Sequence, residues 1–140
     1  MVLQRWQTVL LFISLVLISI FSVSNYGTLE MADGGQLSIM ASENTGYWLY
    51  NLAIVLILLI SIFQFKTPGW QKTFIVIALL MMVGTAIWGC LYLNNLTMSG
   101  GAMHLNISWI LLIVAFGLSL VSFFLICSDQ RKLKAADRIR

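Results

Sequence analysis

The side chains most suited to chemistry are few and far apart along the chain. His104 is the only histidine, and Cys90 and Cys127 are the only cysteines. A transition-metal site needs three or four ligands, and the candidate ligands nearest to His104 are Asn94, Asn95 and Asn106, which are poor ones. The two cysteines do not form the Cys-x-x-Cys pattern of redox and zinc motifs. Cys90 lies near the outer end of the third apolar stretch and Cys127 at the inner end of the fourth, so most of a membrane's thickness would separate them, beyond the ~7 Å Cα limit for a disulfide. We therefore predict no metal, no cofactor and no disulfide.

The sequence also lacks the residue arrangements of hydrolytic active sites. We find no serine paired with histidine, no paired carboxylates and no HExxH pattern within the apolar stretches. One catalytic arrangement can still be imagined, in which His104 acts on a lipid headgroup together with Glu30, Asp33 or Glu43. We expect no catalytic residues and no enzymatic activity.

Four long apolar stretches must position these residues. The chain of 140 residues is 60% hydrophobic and 9% charged, whereas soluble domains carry about 25% charged residues. An uncharged run of about 20 residues crosses a membrane as a helix. The pattern predicts spans at residues 7–24, 47–65, 73–93 and 105–127. Residues 1–140 should thus form one domain, an all-α integral membrane four-helix bundle.

The first predicted span has two features of a signal peptide. Arg5 precedes it, and the sequence "SVS" before Asn25 resembles a cleavage site. Its apolar stretch is longer than the ~7 to 15 residues of a usual signal-peptide core. We therefore interpret it as a retained span.

Lysine and arginine lie on one side of the predicted spans only. All eight belong to the side that holds both termini and the middle link, and neither of the other two links contains one. Basic segments stay in the cytoplasm, so this distribution predicts that both termini are cytoplasmic. We expect these eight residues to form a cytoplasmic contact surface. They are Arg5, Lys66, Lys72, Arg131, Lys132, Lys134, Arg138 and Arg140.

The basic tail, residues 128–140, holds five of these eight residues. If the last helix continues into it, Arg131, Lys134 and Arg138 form one stripe at spacings of three and four. Such a cluster beside a span attracts anionic lipid with about 1 kcal/mol per residue. An acidic protein or ribosomal RNA is the alternative partner. Nothing in the tail selects between these partners, and we expect no other contact with nucleic acid.

The first extracytoplasmic link carries a turn signal, "DGG" at residues 33–35, between two segments that alternate polar and apolar residues. In a small β-hairpin, Leu29 and Met31 could face Leu37 and Ile39. A lone two-stranded hairpin is marginal in water, so it would have to rest on the bundle or on a partner. An irregular polar loop is the alternative.

Small residues recur at spacings of three or four in the third and fourth spans. They are Thr85 and Gly89 in the third, and Ala115, Ser119 and Ser122 in the fourth. Small side chains let helices approach closely in lipid, where packing and hydrogen bonds drive association. We predict that these residues pack the helices together.

Two spans begin alike, with "WQTVLLFI" from Trp6 and "WQKTFIVI" from Trp70. Duplicated hairpins of this kind occur in some transporters. Tryptophan at the inner interface followed by aliphatic residues is also what an unrelated span would show. We attribute the similarity to chance.

Three segments together resemble a known family. They are "LQRWQT" at residues 3–8, "FQFKTPGWQ" at residues 63–71 and "ADRIR" at residues 136–140. The first matches a Gln-Arg-x-Gln pattern through Gln4, Arg5 and Gln7, and the last matches an Ala-Asp-Arg-hydrophobic-Arg pattern. These patterns resemble those of short four-span inner-membrane proteins of unknown function, widespread in Bacteroidota.

The resemblance implies four spans, cytoplasmic termini and the inner membrane of a diderm bacterium. It brings no activity and no site residues with it. The middle link departs from the family, which more often carries an Asn-Arg-Lys type of sequence where this chain has "TPG" at residues 67–69. The resemblance therefore does not extend to a shared docking role for that link.

Two functional hypotheses follow. The first is a non-enzymatic accessory or structural subunit of a larger inner-membrane complex, such as secretion or translocation machinery, with membrane lipids and another membrane protein as partners. The second is a passive carrier or binder of a lipid or other apolar ligand. The second predicts a sizeable cavity with convergent polar groups such as Asn51, Ser14 or Ser119.

Overall fold

The computed structural model describes residues 2–31, 33–98 and 102–138, and four long helices dominate it. Each helix is long and apolar enough to cross a membrane. Each also packs on the next one in the chain, and the last packs on the first, so that the four form a closed ring. The helices are α1 (Val2–Val23), α2 (Thr45–Phe63), α3 (Pro68–Thr97) and α4 (Ser108–Asp137).

The helix boundaries depart from the predicted spans by three or more residues at the starts of α1, α3 and α4 and at the ends of α3 and α4. α3 begins at Pro68 and not at residue 73, because proline suits the first turn of a helix, where its missing N–H would have no partner. α4 begins at Ser108 and not at residue 105, because residues 102–105 form a strand. α4 then continues to Asp137. The described part of the basic tail is therefore mostly helical.

A three-stranded antiparallel sheet lies at the end of the bundle where α1 ends and α4 begins. Its strands are β1 (Asn25–Glu30), β2 (Gln36–Met40) and β3 (Ala102–Leu105), in the order β2-β1-β3. The predicted hairpin is thus confirmed, with Leu29 opposite Leu37, but Ile39 lies opposite Gly27 and Met31 lies outside the strand. The third strand was not predicted, and it pairs with the other edge of β1.

Local turn chemistry explains how the hairpin closes. Gly34 has φ of +77°, a conformation that glycine adopts without steric cost. Met31 lies beyond β1 and closes the turn, since its N–H donates to the Gly35 carbonyl at 2.9 Å. The sheet is fixed to the bundle by Ser108, whose hydroxyl donates to the Asn25 carbonyl at 2.7 Å.

Polar side chains lie inside the bundle, and large apolar side chains cover its outside. Exposed positions include Phe12, Leu56, Leu80 and Ile113. This distribution is typical of helices that pack through polar and small residues in lipid. The buried polar residues are Gln7, Ser14, Ser22, Asn51, Ser61, Gln71, Thr85, Ser108, Ser119 and Ser122.

Aromatic rings fill the bundle near the sheet. Phe21 and Trp109 meet edge to face with their centroids 6.0 Å apart. Gly89 of α3 is buried beside them. A Cβ atom at Gly89 would lie 2.7 Å from the Trp109 ring and 3.1 Å from the Tyr47 hydroxyl. The absence of a side chain at Gly89 therefore lets α2, α3 and α4 come together.

We expect Gly89→Leu to lower the free energy of unfolding by about 1–3 kcal/mol, because a side chain must displace two packed rings. Gly117→Leu is the matched control, since a Cβ at Gly117 would meet nothing within 4 Å. Thermal unfolding in detergent, followed by circular dichroism, measures both. Equal midpoints for the two variants would contradict this account of the packing.

Candidate functional site

The basic side chains gather at the end of the bundle opposite the sheet, which we call the basic end. The last turns of α2, the first turns of α3 and the tail of α4 meet there. Lys72 is half-buried, and the other described basic side chains are exposed. Arg5 lies in the first turns of α1 at the same end, and Arg140 lies outside the described residues. The described basic side chains are Lys66, Lys72, Arg131, Lys132, Lys134 and Arg138.

A polar cluster at the basic end draws its residues from three helices. It consists of Gln7 from α1, Gln71 from α3 and Asp129 from α4. The Gln7 side chain donates from Nε2 to Asp129 Oδ2 at 2.5 Å. Gln7 and Gln71 are each only 4% exposed. The cluster ties the start of α1 to α4 at the point where the basic tail begins.

The three residues of the polar cluster border a small cavity of about 30 Å³. That volume holds about two water molecules. Thr8, Pro68 and Gln130 also line it. Among the residues that the structure describes, Gln71 has no side-chain hydrogen bond, so its amide is available to water in the cavity. The arrangement can bind water and position the tail.

Sequence reasoning did not single out the polar cluster. The nearest signal was the pair of similar span starts, because both place glutamine directly after tryptophan, as Gln7 and Gln71. Both glutamines turn out to line the same cavity. Gln7 also belongs to the family-like pattern near the start of the chain. Asp129 gave no signal, because it is one of several charged residues in the tail and nothing in the sequence distinguishes it from them.

The small residues of α4 lie against α1. Ala115, Ser119 and Ser122 are fully buried. The Ser14 hydroxyl donates to the Ala115 carbonyl at 2.9 Å and lies 2.7 Å from the Ser119 hydroxyl. Since Ser14 has one hydrogen to give, Ser119 must donate to Ser14. The Ser122 hydroxyl points to the Gln7 carbonyl at 3.5 Å, which extends this polar seam to the basic end.

A second polar group joins α2 and α3. Asn51 is fully buried, and its amide donates to the Tyr47 carbonyl at 2.9 Å. The Thr85 hydroxyl lies 3.1 Å from the Met81 carbonyl and 3.4 Å from Asn51 Oδ1. The Tyr47 hydroxyl donates to the Thr85 carbonyl at 3.4 Å. Asn51 therefore belongs to a different interface from Ser14 and Ser119, and the three do not converge on one cavity.

His104 lies on the exposed edge strand β3, opposite Thr28 of β1. Its Nε2 atom is 3.9 Å from Glu30 Oε1, and the two side chains are 67% and 45% exposed. Of the three carboxylates considered with His104, Glu30 is the one at this distance, whereas Asp33 lies in the hairpin turn. Within the described ranges, His, Cys, Asp and Glu form no group of three that could hold a metal ion.

We expect Gln7→Leu to destabilise the protein by about 2 kcal/mol, because it leaves the partly buried Asp129 carboxylate without its donor. Asp129→Asn keeps a hydrogen-bonding group and should cost less. Asp137→Asn, on the exposed end of the same helix, is the control and should stay within about 0.5 kcal/mol of the parent. Unfolding in detergent measures all three. Additive effects in the Gln7→Leu, Asp129→Asn double variant would contradict the coupling.

Comparison with known proteins agrees with the resemblance seen in the sequence. The family model described as "Domain of unknown function (DUF4293)" matches residues 3–139. No curated protein and no solved structure gives a significant match to the chain. Because the family match covers nearly every residue, the protein belongs to this DUF4293 family of unknown function.

Proposed function

We propose that the protein is a non-enzymatic subunit of a larger complex in the inner membrane of a bacterium, with both termini in the cytoplasm. The four apolar helices support membrane insertion, and the basic residues at one end support the orientation. The sheet would then lie on the periplasmic side. Secretion or translocation machinery is one assembly that such a subunit could join.

The observation that carries this proposal is the ordered basic tail. Beyond the polar cluster, α4 continues as a helix to Asp137, with Arg131, Lys132 and Lys134 exposed on it. The hydrogen bond from Gln7 to Asp129 holds the base of this helix against α1. Fixed charges lose less conformational entropy on binding than charges on a loose tail. The basic end is therefore suited to contact the acidic surface of a partner.

The second candidate is a binder of a lipid or other apolar molecule. The polar residues first considered for it, Asn51, Ser14 and Ser119, support the helix interfaces instead. A different feature favours it, namely an apolar groove between α3 and α4 lined by Met82, Ala86 and their neighbours. Lipid binding there is compatible with the role of a subunit.

Membrane orientation can be tested with single cysteines in a variant whose Cys90 and Cys127 are replaced by alanine. Cysteine at Glu43, near the sheet, should react with an impermeant maleimide in cells with a permeabilised outer membrane. Cysteine at Lys134 should react only after the inner membrane is lysed. The opposite pattern would place the basic end outside the cytoplasm.

The proposed contact between the basic tail and a partner can be tested by replacing four basic residues with glutamine. They are Arg131, Lys132, Lys134 and Arg138. We expect a stoichiometric partner to co-purify with the parent protein from mildly solubilised membranes. Recovery with the variant should fall by about tenfold, which corresponds to ~1.4 kcal/mol of binding free energy. The maleimide assay, repeated on the variant, checks that its orientation is unchanged.

The matched control for the contact role replaces Glu30, Asp33 and Glu43 at the sheet end with their amides, and it should retain the partner. Loss of the partner in the control alone would show that the partner contacts the sheet end and not the basic tail. A parent protein that migrates on native gels as a lone monomer would contradict the role of a subunit.

A further inference from the structure

The interface between α3 and α4 is the loosest of the four in the ring. An apolar groove with a volume of about 210 Å³ opens between these helices on the outer surface. Met82 and Ala86 of α3 and Leu112 and Phe116 of α4 form part of its lining. In the apolar interior of a membrane, such a groove must be filled by a hydrocarbon chain or by another helix.

A second cleft lies between the same two helices, nearer to the basic end. It has a volume of about 490 Å³ and is lined by Gly69, Lys72, Thr73, Val76, Ile77 and Phe123. Among the described residues that line it, Lys72 is the only charged one. Lys72 therefore contributes the charge to a cleft whose other walls are mainly apolar.

The two openings follow one stripe of α3. Lys72 and Val76 line the cleft, and Val83 and Ile87 line the groove. Spacings of four, seven and four place these residues on the same helix face. At 1.5 Å per residue, the stripe is about 22 Å long. The near end of the groove, at Met82, lies about 15 Å along α3 from Lys72, which equals the depth of one leaflet's hydrocarbon core, so an acyl chain anchored at Lys72 can extend into the groove.

The start of α3 adds positive charge at the mouth of the cleft. The Thr67 side chain makes no capping hydrogen bond to this helix, and its hydroxyl donates to Gln64 Oε1 at 2.6 Å. Gly69 lines the cleft, and a Cβ atom there would meet nothing within 4 Å. The first-turn backbone is thus open to approach. A helix start of this kind favours phosphate, which reinforces the attraction of Lys72.

We propose that one anionic phospholipid binds between α3 and α4, with an acyl chain along the groove and its phosphate at Lys72 and the first turn of α3. A basic cleft between helices at the cytoplasmic headgroup level is the setting in which anionic headgroups bind. A partner helix would fill the groove but would leave the lysine without a counter-charge. The inference rests on the proposed membrane orientation and is independent of the subunit role.

The test uses the purified full-length protein in detergent and native mass spectrometry. It is titrated with phosphatidylglycerol or with phosphatidylethanolamine of the same acyl chains. We expect one phosphatidylglycerol to bind at least about fivefold more tightly than phosphatidylethanolamine. Lys72→Gln should abolish this preference. Lys66→Gln, which removes an exposed charge outside the cleft at the same end, should leave it unchanged.

A second variant tests the apolar groove separately from the headgroup contact. Ala86→Phe should weaken the binding of both lipids by at least about fivefold, because the ring occupies the space of the acyl chain. Leu56→Phe, at an exposed position on α2, is the control and should bind as the parent does. The thermal unfolding midpoint of each variant confirms that it is folded.

Three results would overturn the lipid site. They are equal affinity of the parent for the two lipids, an unchanged preference in Lys72→Gln, and a dimer without lipid whose formation Ala86→Phe abolishes. Displacement of the lipid by millimolar inorganic phosphate alone would also overturn it, since the occupant would then be a free anion. Because the protein is tested alone, these results are separate from the outcome of the co-purification experiment.

Discussion

Polar side chains in this bundle must find their partners inside it, because its outer surface is almost entirely apolar. The buried serine, threonine, asparagine and glutamine residues meet this constraint mostly by bonding across helix interfaces or to the preceding turn of their own helix. Such interhelical hydrogen bonds are worth about 1 kcal/mol each in a membrane. Their larger effect is on specificity, since a sliding or rotated helix would leave a polar group unpaired in an apolar environment.

The same constraint makes the α1–α4 interface different from the α3–α4 interface. In the half of the bundle nearer the basic end, a polar seam from Ser14 to Asp129 joins α1 and α4. By contrast, α3 and α4 meet mainly through apolar side chains. A seam of directional bonds holds two helices in close contact. An apolar interface between bulky side chains leaves gaps that lipid can fill. The polar seam and the α3–α4 groove thus follow from where the small polar residues fall on α4.

The two ends of the molecule differ in the charged residues that they carry. The sheet end carries Glu30, Asp33 and Glu43, and the basic end carries every lysine and arginine that the structure describes. The polar cluster lies between the apolar bundle and these charges, and it fixes the start of the α4 tail. The proposed contact with a partner and the proposed lipid site both use this end. They use different faces of it, since the tail projects from α4 and the cleft opens at the start of α3.

Composition and local chemistry alone determined a large part of this structure. Four uncharged apolar runs are enough to predict four long helices, because an apolar backbone segment of that length can bond only within itself. The hairpin was also predictable, since a turn at "DGG" and the alternation around it act within a few residues. The spacing of Ala115, Ser119 and Ser122 identified a face of α4, although not the helix that it contacts.

Only the tertiary structure decided the interactions between distant segments. The sequence of β3 shows only a weak strand pattern, and this strand forms because β1 has a free edge next to it. Gln7 and Asp129 are 122 positions apart, and no local pattern links them. They meet because the ring of helices brings the start of α1 beside the end of α4. The α3–α4 groove likewise depends on how closely two helices approach, and this distance is set by side-chain packing and not by the composition of either helix.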